Sequence, residues 1–304
     1  MPMVLGQNQY GKAETRVVRV RRATERHEIK DLNVSVALSG DLSDTHLTGG
    51  NGRVLPTDTM KNTVYAFARE HGIDSAEAYG VRLARHFVES QPSITRARVR
   101  IEEYPWNRIT AAESRRRFVG ADEIQHSFAR DGGEIRTTEI VWADGRVRVI
   151  SGLKELTVLN TTSSEFRGYL KDRYTTLREA YDRILATEVT ARWRFSFDAS
   201  DEAAEPNWER SYAQVRRHLL EAFAETYSHS LQQTLYAMAD RVLTYRHEVD
   251  EVRLSLPNKH HFPVDLEQFG LKNDKEVYYA ADRPYGLIEG TVHREGVTPL
   301  IPVD

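Results

Sequence analysis

Ser255-Leu256-Pro257-Asn258-Lys259-His260 sets an amide, an amine and an imidazole on three consecutive residues. An amide donates and accepts, an amine donates, and an imidazole passes a proton either way near neutral pH. The residues before them alternate, with Val252, Leu254 and Leu256 on one face and Glu251, Arg253 and Ser255 on the other. That period is the mark of a half-buried strand. Pro257, which has no N–H to give, is expected to end the ladder. The same alternation turns Lys259 away from the face shared by Asn258 and His260. A rigid strand mouth suits a site; it equally suits a plain polar turn.

Other residues offer related chemistry at a distance. Pro56-Thr57-Asp58-Thr59 is expected to open a helix, with Thr57 or Asp58 as N-cap. The free N–H groups there suit an anion, or simply a capping side chain. Lys12 falls at the start of a first strand, where lysine is normally solvated. Arg183, in Asp182-Arg183-Ile184-Leu185, is either one half of a helix-face ion pair or a fork for a planar anion. Gln232 is either a solvated first-turn residue or a bidentate amide for an imide edge. Phe166 is a core residue or a stacking platform. Taken singly, none is decisive.

Several chemistries are disfavoured. The chain has no cysteine, so thiolate nucleophiles, disulfides and cysteine-bound metals are excluded. His27-Glu28 begins no His-Glu-x-x-His pattern, and His260-His261 are adjacent, facing opposite ways if in a strand. No metal site is expected. No Gly-x-Ser-x-Gly elbow occurs. Gly49-Gly50-Asn51-Gly52 lacks the Gly-Lys-Ser/Thr of a phosphate loop, and residues 40–53 read as a flexible loop.

The elements that must position these residues are legible from periodicity. Thr15 to Arg22 and Leu32, Val34, Val36, Leu38 read as strands. A helix follows with Met60, Val64, Phe67 and Ala68 inward, stopped by Gly72. Asp74 to Glu77 has capping-box spacing for a second helix, with Tyr79, Leu83, Phe87 and Val88 inward. Ala97, Val99 and Ile101 mark a returning strand, expected to pair with residues 118–130. In the second half, Asp144-Gly145 joins two strands as a hairpin turn. Residues 160–183 read as an irregular insertion with short helical pieces. Trp193, Phe195 and Phe197 mark a strand, residues 208–227 and 230–247 two helices, 249–256 a strand, and 287–293 a last one. The order strand, strand, helix, helix, strand, strand occurs twice, an internal duplication. Such sheets leave a face and edges to cover, which favours an oligomer.

A chain of 304 residues with formal net charge −3 has no bulk basic field for nucleic acid or anionic membrane. No apolar run is long enough for a membrane span. Met1 to Gln7 carries no secretory pattern, and Ile301-Pro302-Val303-Asp304 is no peroxisomal tripeptide. A cytoplasmic protein is expected.

Several words, in order, resemble the urate oxidase (uricase) family across nearly the whole chain. They include Tyr10-Gly11-Lys12, Thr57-Asp58-Thr59-Met60-Lys61-Asn62-Thr63, Phe166-Arg167-Gly168-Tyr169, Asp182-Arg183-Ile184-Leu185, Ser230-Leu231-Gln232 and Ser255 to His260. The resemblance implies an α+β fold of two tandem tunnelling-fold (T-fold) domains, here 1–132 and 133–304. Each is an antiparallel sheet backed by a helix pair, and the subunits assemble into barrels within a homotetramer. It implies oxidation of urate by O2 and water to 5-hydroxyisourate and hydrogen peroxide, with no metal or organic cofactor. Active sites would be shared, one subunit giving Lys12, Thr57 and Asp58 and another the rest.

The resemblance also implies roles. Arg183 and Gln232 would clamp one edge of urate, Phe166 would stack on it, and Leu177 and Leu231 would line the pocket. The backbone of Thr57 and Asp58 would meet the five-membered ring. Lys12, Thr57 and His260 would form a proton relay, and Asn258, with Thr57, would hold O2 and then water. Leu231 and Arg167 depart from some relatives without touching the chemistry. Alternatives are a purine- or pterin-binding T-fold protein without oxidase activity, and a purely structural oligomer. A zinc-dependent pterin enzyme on this fold would lack its usual cysteine ligand.

Overall fold

A computed structural model describes residues 3–109, 126–130, 132–196, 205–281 and 283–303. The chain forms two compact units, one of residues 1–151 with 197–209, the other of 152–196 with 210–304.

In the first unit, β1 (Tyr10–Arg21) pairs antiparallel with β2 (Glu28–Gly40). Alternation places Leu32, Val34, Val36 and Leu38 in the core, as their spacing predicts. β1 starts five residues earlier than its valines suggest, because a bulge between Lys12 and Thr15 shifts the register. Gly11 lies so close to β2 that an added Cβ would sit 1.8 Å from the Val36 carbonyl oxygen. Only glycine permits that approach beside Lys12. The expected loop at 40–53 contains a short helix, α1 (Ser43–Leu47).

Helices α2 (Thr57–Glu70) and α3 (Ala76–Glu89) follow, and Gly72, at φ 80°, lets the chain leave α2. Met60, Val64 and Ala68 are the buried stripe of α2. The N-cap of α2 is Pro56, with no side-chain cap, so Thr57 and Asp58 lie inside the first turn. Ser75, not Asp74, caps α3, its hydroxyl accepting from the Ala78 N–H. Glu77 does not close a capping box; it is buried, bonded by Arg136 at 2.7 Å and by the Ser151 hydroxyl at 2.6 Å.

β3 (Ile94–Glu103) lies between β2 and β6 (Ile135–Ala143). Among the described residues of the range 118–130, the expected pairing with β3 is not made. β5 (Phe128–Arg130) instead pairs with β4 (Trp106–Arg108), and residues 118–125 lie outside the described residues. Asp144 and Gly145, at φ 52° and 70°, turn β6 into β7 (Arg146–Asn160), the positive-φ pair a tight hairpin requires.

In the second unit, β8 (Leu185–Phe195) pairs antiparallel with β9 (Val249–Asn258), and β9 with β12 (Gly286–His293). α4 (Trp208–Glu225), whose first two residues belong to the first unit, and α5 (Leu231–Tyr245) lie between β8 and β9 in the chain. α5 packs on β9 and β12. Residues 161–184 are irregular but hold no helical piece, and Phe197 lies outside the described residues. A short hairpin, β10 (His261–Pro263) with β11 (Tyr278–Ala280), follows β9.

Two expectations for β9 fail. Pro257 does not end the ladder: it faces Leu287 of β12, and pairing continues to Asn258. Nor is the strand half-buried. Glu251 and Arg253 are buried as well, because Glu251 accepts from Arg194 Nε and from the N–H groups of Leu300 and Ile301. A buried carboxylate is tolerated when both its oxygens are bonded.

Candidate active site

A cavity of about 940 Å³ opens in the second unit, lined by Phe166, Leu177, Arg183, Leu231, Gln232, Asn258 and His260. A site of this volume suits a small molecule. Lys12, Thr57 and Asp58 belong to the first unit.

The irregular segment before β8 is held by defined backbone bonds. Phe166 and Ala180 exchange N–H to carbonyl bonds of 2.8 and 3.0 Å, folding the segment back on itself. Glu165 N–H donates to Ser228 and Ser228 N–H to Ser163, tying the segment to the loop before α5. This parallel bridge sets Ser164 beside that loop. Arg183 then bonds Ser164 twice, through its N–H to the Ser164 carbonyl at 2.9 Å and through Nε to the hydroxyl at 3.2 Å. Its guanidinium carbon lies 5.3 Å from the centre of the Phe166 ring, which stacks in turn on Tyr169.

Arg183 is on no helix and forms no ion pair among the described residues. Burial alone pulls its guanidinium below the ordinary range, with no carboxylate to offset it. A desolvated cation facing a cavity without an acid partner is a seat for an anion.

At the other wall, Ser230 caps α5, its hydroxyl accepting from Gln233 N–H. Ser228 donates to the Ser230 carbonyl and accepts from Thr234. Leu231 is thereby buried at the first helical position, and Gln232 follows it with an exposed carboxamide.

The end of β9 supplies the remaining groups. Lys259 turns aside: its ammonium bonds Glu188 at 2.7 Å and its N–H donates to the Ala186 carbonyl at 2.9 Å. Asn258 and His260 line the cavity, and so does His261, whose Nδ1 lies 3.0 Å from the Lys259 carbonyl oxygen. His260 stacks with Phe262. Burial, then the Arg183 charge and then His261 pull its imidazole below the ordinary value, which keeps it neutral near pH 7.

In the first unit, the Leu55 N–H donates to the Tyr10 hydroxyl at 2.9 Å, tying the start of β1 to the chain entering α2. The bonds of that first turn begin with the Thr59 and Met60 N–H groups, both donating to Pro56, leaving those of Thr57 and Asp58 at the uncapped end. The Asp58 carboxylate is held low by Lys61, with a smaller contribution from Lys12. The residues that sequence reasoning missed are Ser164 and Ser228. A lone serine carries no local signal, and only the fold brings it to Arg183.

A half-buried guanidinium that lines one cavity with an amide, its carbon 5.3 Å from an aromatic ring, can hold a flat anionic molecule. The sequence model described as Uricase matches residues 8–141 and 149–289. The uricase of Arthrobacter globiformis is 48% identical over 294 residues, covering 97% of this chain and 91% of its own. That of Dictyostelium discoideum is 37% identical over 289 residues, covering 94% and 96%. The crystal structure of the Arthrobacter globiformis uricase superposes with a TM-score of 0.91 at 47% identity, covering 99% of each chain. The Bacillus sp. TB-90 urate oxidase, at 22% identity and a TM-score of 0.78 over 95% of this chain and 100% of its own, shares the fold. The chain belongs to the uricase family. It is an oxidoreductase, and its activity is the oxidation of urate.

Proposed function

We propose that the chain oxidises urate by O2 and water to 5-hydroxyisourate and hydrogen peroxide, without metal or organic cofactor. The reaction balances as urate plus O2 plus H2O: two electrons pass to O2, and the oxygen of water is added to the ring. The observation that supports this most is the Arg183 guanidinium, with no acid partner among the described residues, lining the cavity with Gln232.

Urate is a flat anion at neutral pH. Arg183 gives two charge-assisted N–H bonds to one edge, and Gln232 matches the donor and acceptor beside it. Phe166 stacks on the ring, and Leu177 and Leu231 close its margin. A clamp of this kind rejects purines that lack the matching groups, because its own polar groups would be left unpaired. The uncapped N–H groups of Thr57 and Asp58 take the anionic five-membered ring. Lys12, Thr57 and His260 relay protons to and from a bound water, and Asn258 with Thr57 holds O2 and then that water over the ring.

Two tandem T-fold domains in a homotetramer, with each site shared between subunits, fit this reading. Val18 and Val20 on β1 and Leu287 on β12 are exposed, and among the described residues β1 pairs on one side only, as does β12. Open apolar edges suit pairing with a second copy. No described helix is long and apolar enough to cross a membrane. We place the enzyme in the cytoplasm.

The test is an assay of purified protein in chelator-treated buffer. Loss of urate absorbance with matching O2 uptake and peroxide release is expected. Activity that disappears with chelator and returns with an added metal would overturn the cofactor-free mechanism. Tight urate binding without O2 uptake would favour the non-oxidative reading.

A further inference from the structure

Thr187 of β8 stands directly opposite Asn258 of β9 in the antiparallel ladder. Opposed residues present their side chains on the same face, with Cβ atoms about 4.5–5.5 Å apart. Thr187 is 0% exposed, and its hydroxyl has no protein partner among the described residues. A buried hydroxyl is costly to leave unbonded, so this one calls for a partner.

Across the ladder, the Asn258 backbone is well fixed. It pairs with Thr187 on one side and Gly286 on the other, and the next residue, Lys259, is tied to Ala186 and Glu188. The Asn258 carboxamide, by contrast, lines the cavity and bonds no described residue. Its rotation is the freedom that remains. A carboxamide turned through half a revolution exchanges its donor and acceptor ends. That exchange reverses what it offers to a small molecule above it.

We propose that Thr187 is a positioning residue. Its hydroxyl bonds the Asn258 carboxamide, directly or through one water, and fixes which end faces the cavity. The proposal rests on the reading of Asn258 as the group that holds O2 and water. A hydroxyl suits the task because it rotates to donate or accept. Valine has the same shape without the hydroxyl, and serine keeps the hydroxyl.

The experiment measures kcat, KM and melting temperature for Thr187→Val, Thr187→Ser, Asn258→Ala and the double variant Asn258→Ala with Thr187→Val. Thr187→Val is expected to lower kcat about tenfold, the effect of one lost hydrogen bond, with KM within about twofold. Its melting temperature should fall by no more than about a few degrees, because the one bond lost is that to the Asn258 carboxamide. Thr187→Ser should keep most of the activity. Placed on Asn258→Ala, Thr187→Val should cost nothing further. Unchanged kcat in Thr187→Val, or the same loss with and without Asn258, overturns the positioning role while leaving Asn258 in place. A fall in melting temperature of about ten degrees or more that accompanies the loss of kcat and a rise in KM assigns Thr187 to the fold alone. Full activity in Asn258→Ala removes the reading of Asn258, and this proposal with it.

Discussion

The Arg183 guanidinium carbon lies 5.3 Å from the centre of the Phe166 ring, and among the described residues the arginine has no acid partner to neutralise it. The ring supports the cation on one side and Ser164 takes the Nε N–H, while the Nη groups, which bond no described residue, are open to a substrate edge. Arg183→Gln should therefore raise the KM for urate about a hundredfold or more, since it removes charge-assisted bonds worth roughly 1.5–3 kcal/mol each. Steady-state kinetics checks this. A KM within twofold of the parent enzyme would dismiss Arg183 as the anion seat.

Lys12 and Thr57 should behave differently. They are assigned to proton transfer, so Lys12→Met and Thr57→Ala should lower kcat by about 10²–10⁴ while changing KM far less. Parallel kcat and KM measurements separate the two patterns. A large rise in KM with normal turnover would make them binding groups instead.

His260 should titrate below the ordinary imidazole value of about 6.5, because burial and the Arg183 charge both oppose its protonation. Its folded pKa is depressed, so the unfolded chain takes up the proton first as pH falls. This group's contribution to stability is therefore lost from about pH 6.5 downward, until the folded pKa is passed. NMR titration of labelled histidine reads the midpoint directly. In Arg183→Gln the midpoint should move up. A midpoint above 6.5 in the parent enzyme would contradict the assignment.

The buried pair of Glu77 and Arg136 should matter to stability. Glu77→Ala removes the most buried partner of Arg136, which keeps Glu209 at 2.9 Å and Glu103 at 3.6 Å, and should cost about 1–3 kcal/mol, read as a lowered midpoint in denaturant. Replacing both residues by methionine should recover much of that loss, leaving the Ser151 hydroxyl short of a partner. A double variant weaker than either single one would mean that the ion pair itself stabilises the fold.

Local pattern was enough for much of the frame. Alternation at Leu32 to Leu38 and the Asp144-Gly145 turn are visible because nearest neighbours cause them. Pro257 misleads because a proline is read as a break, whereas here it sits within the ladder opposite Leu287. Thr57 misleads because Pro56, which offers no side-chain acceptor, takes the capping place. Of the candidate site, the side chains with distinctive chemistry were legible: Arg183, Gln232, Asn258 and His260. What holds them was not. Ser164 lies nineteen residues from Arg183, and Ser228 much further, so only long-range pairing brings them together.

Ser164 grips Arg183 by main chain and side chain, and the same strand of chain is bridged to Ser228, just ahead of the helix that carries Gln232. The two jaws of the clamp thus share one backbone frame, like the arms of a caliper locked at a single width. On the proposed reading of Arg183 and Gln232, the width between the backbones that carry them is set by main-chain geometry, and side-chain exchange at 183 or 232 leaves that frame in place. Adapting the pocket to a wider heterocycle would require re-spacing the 163–166 and 228–230 segments together.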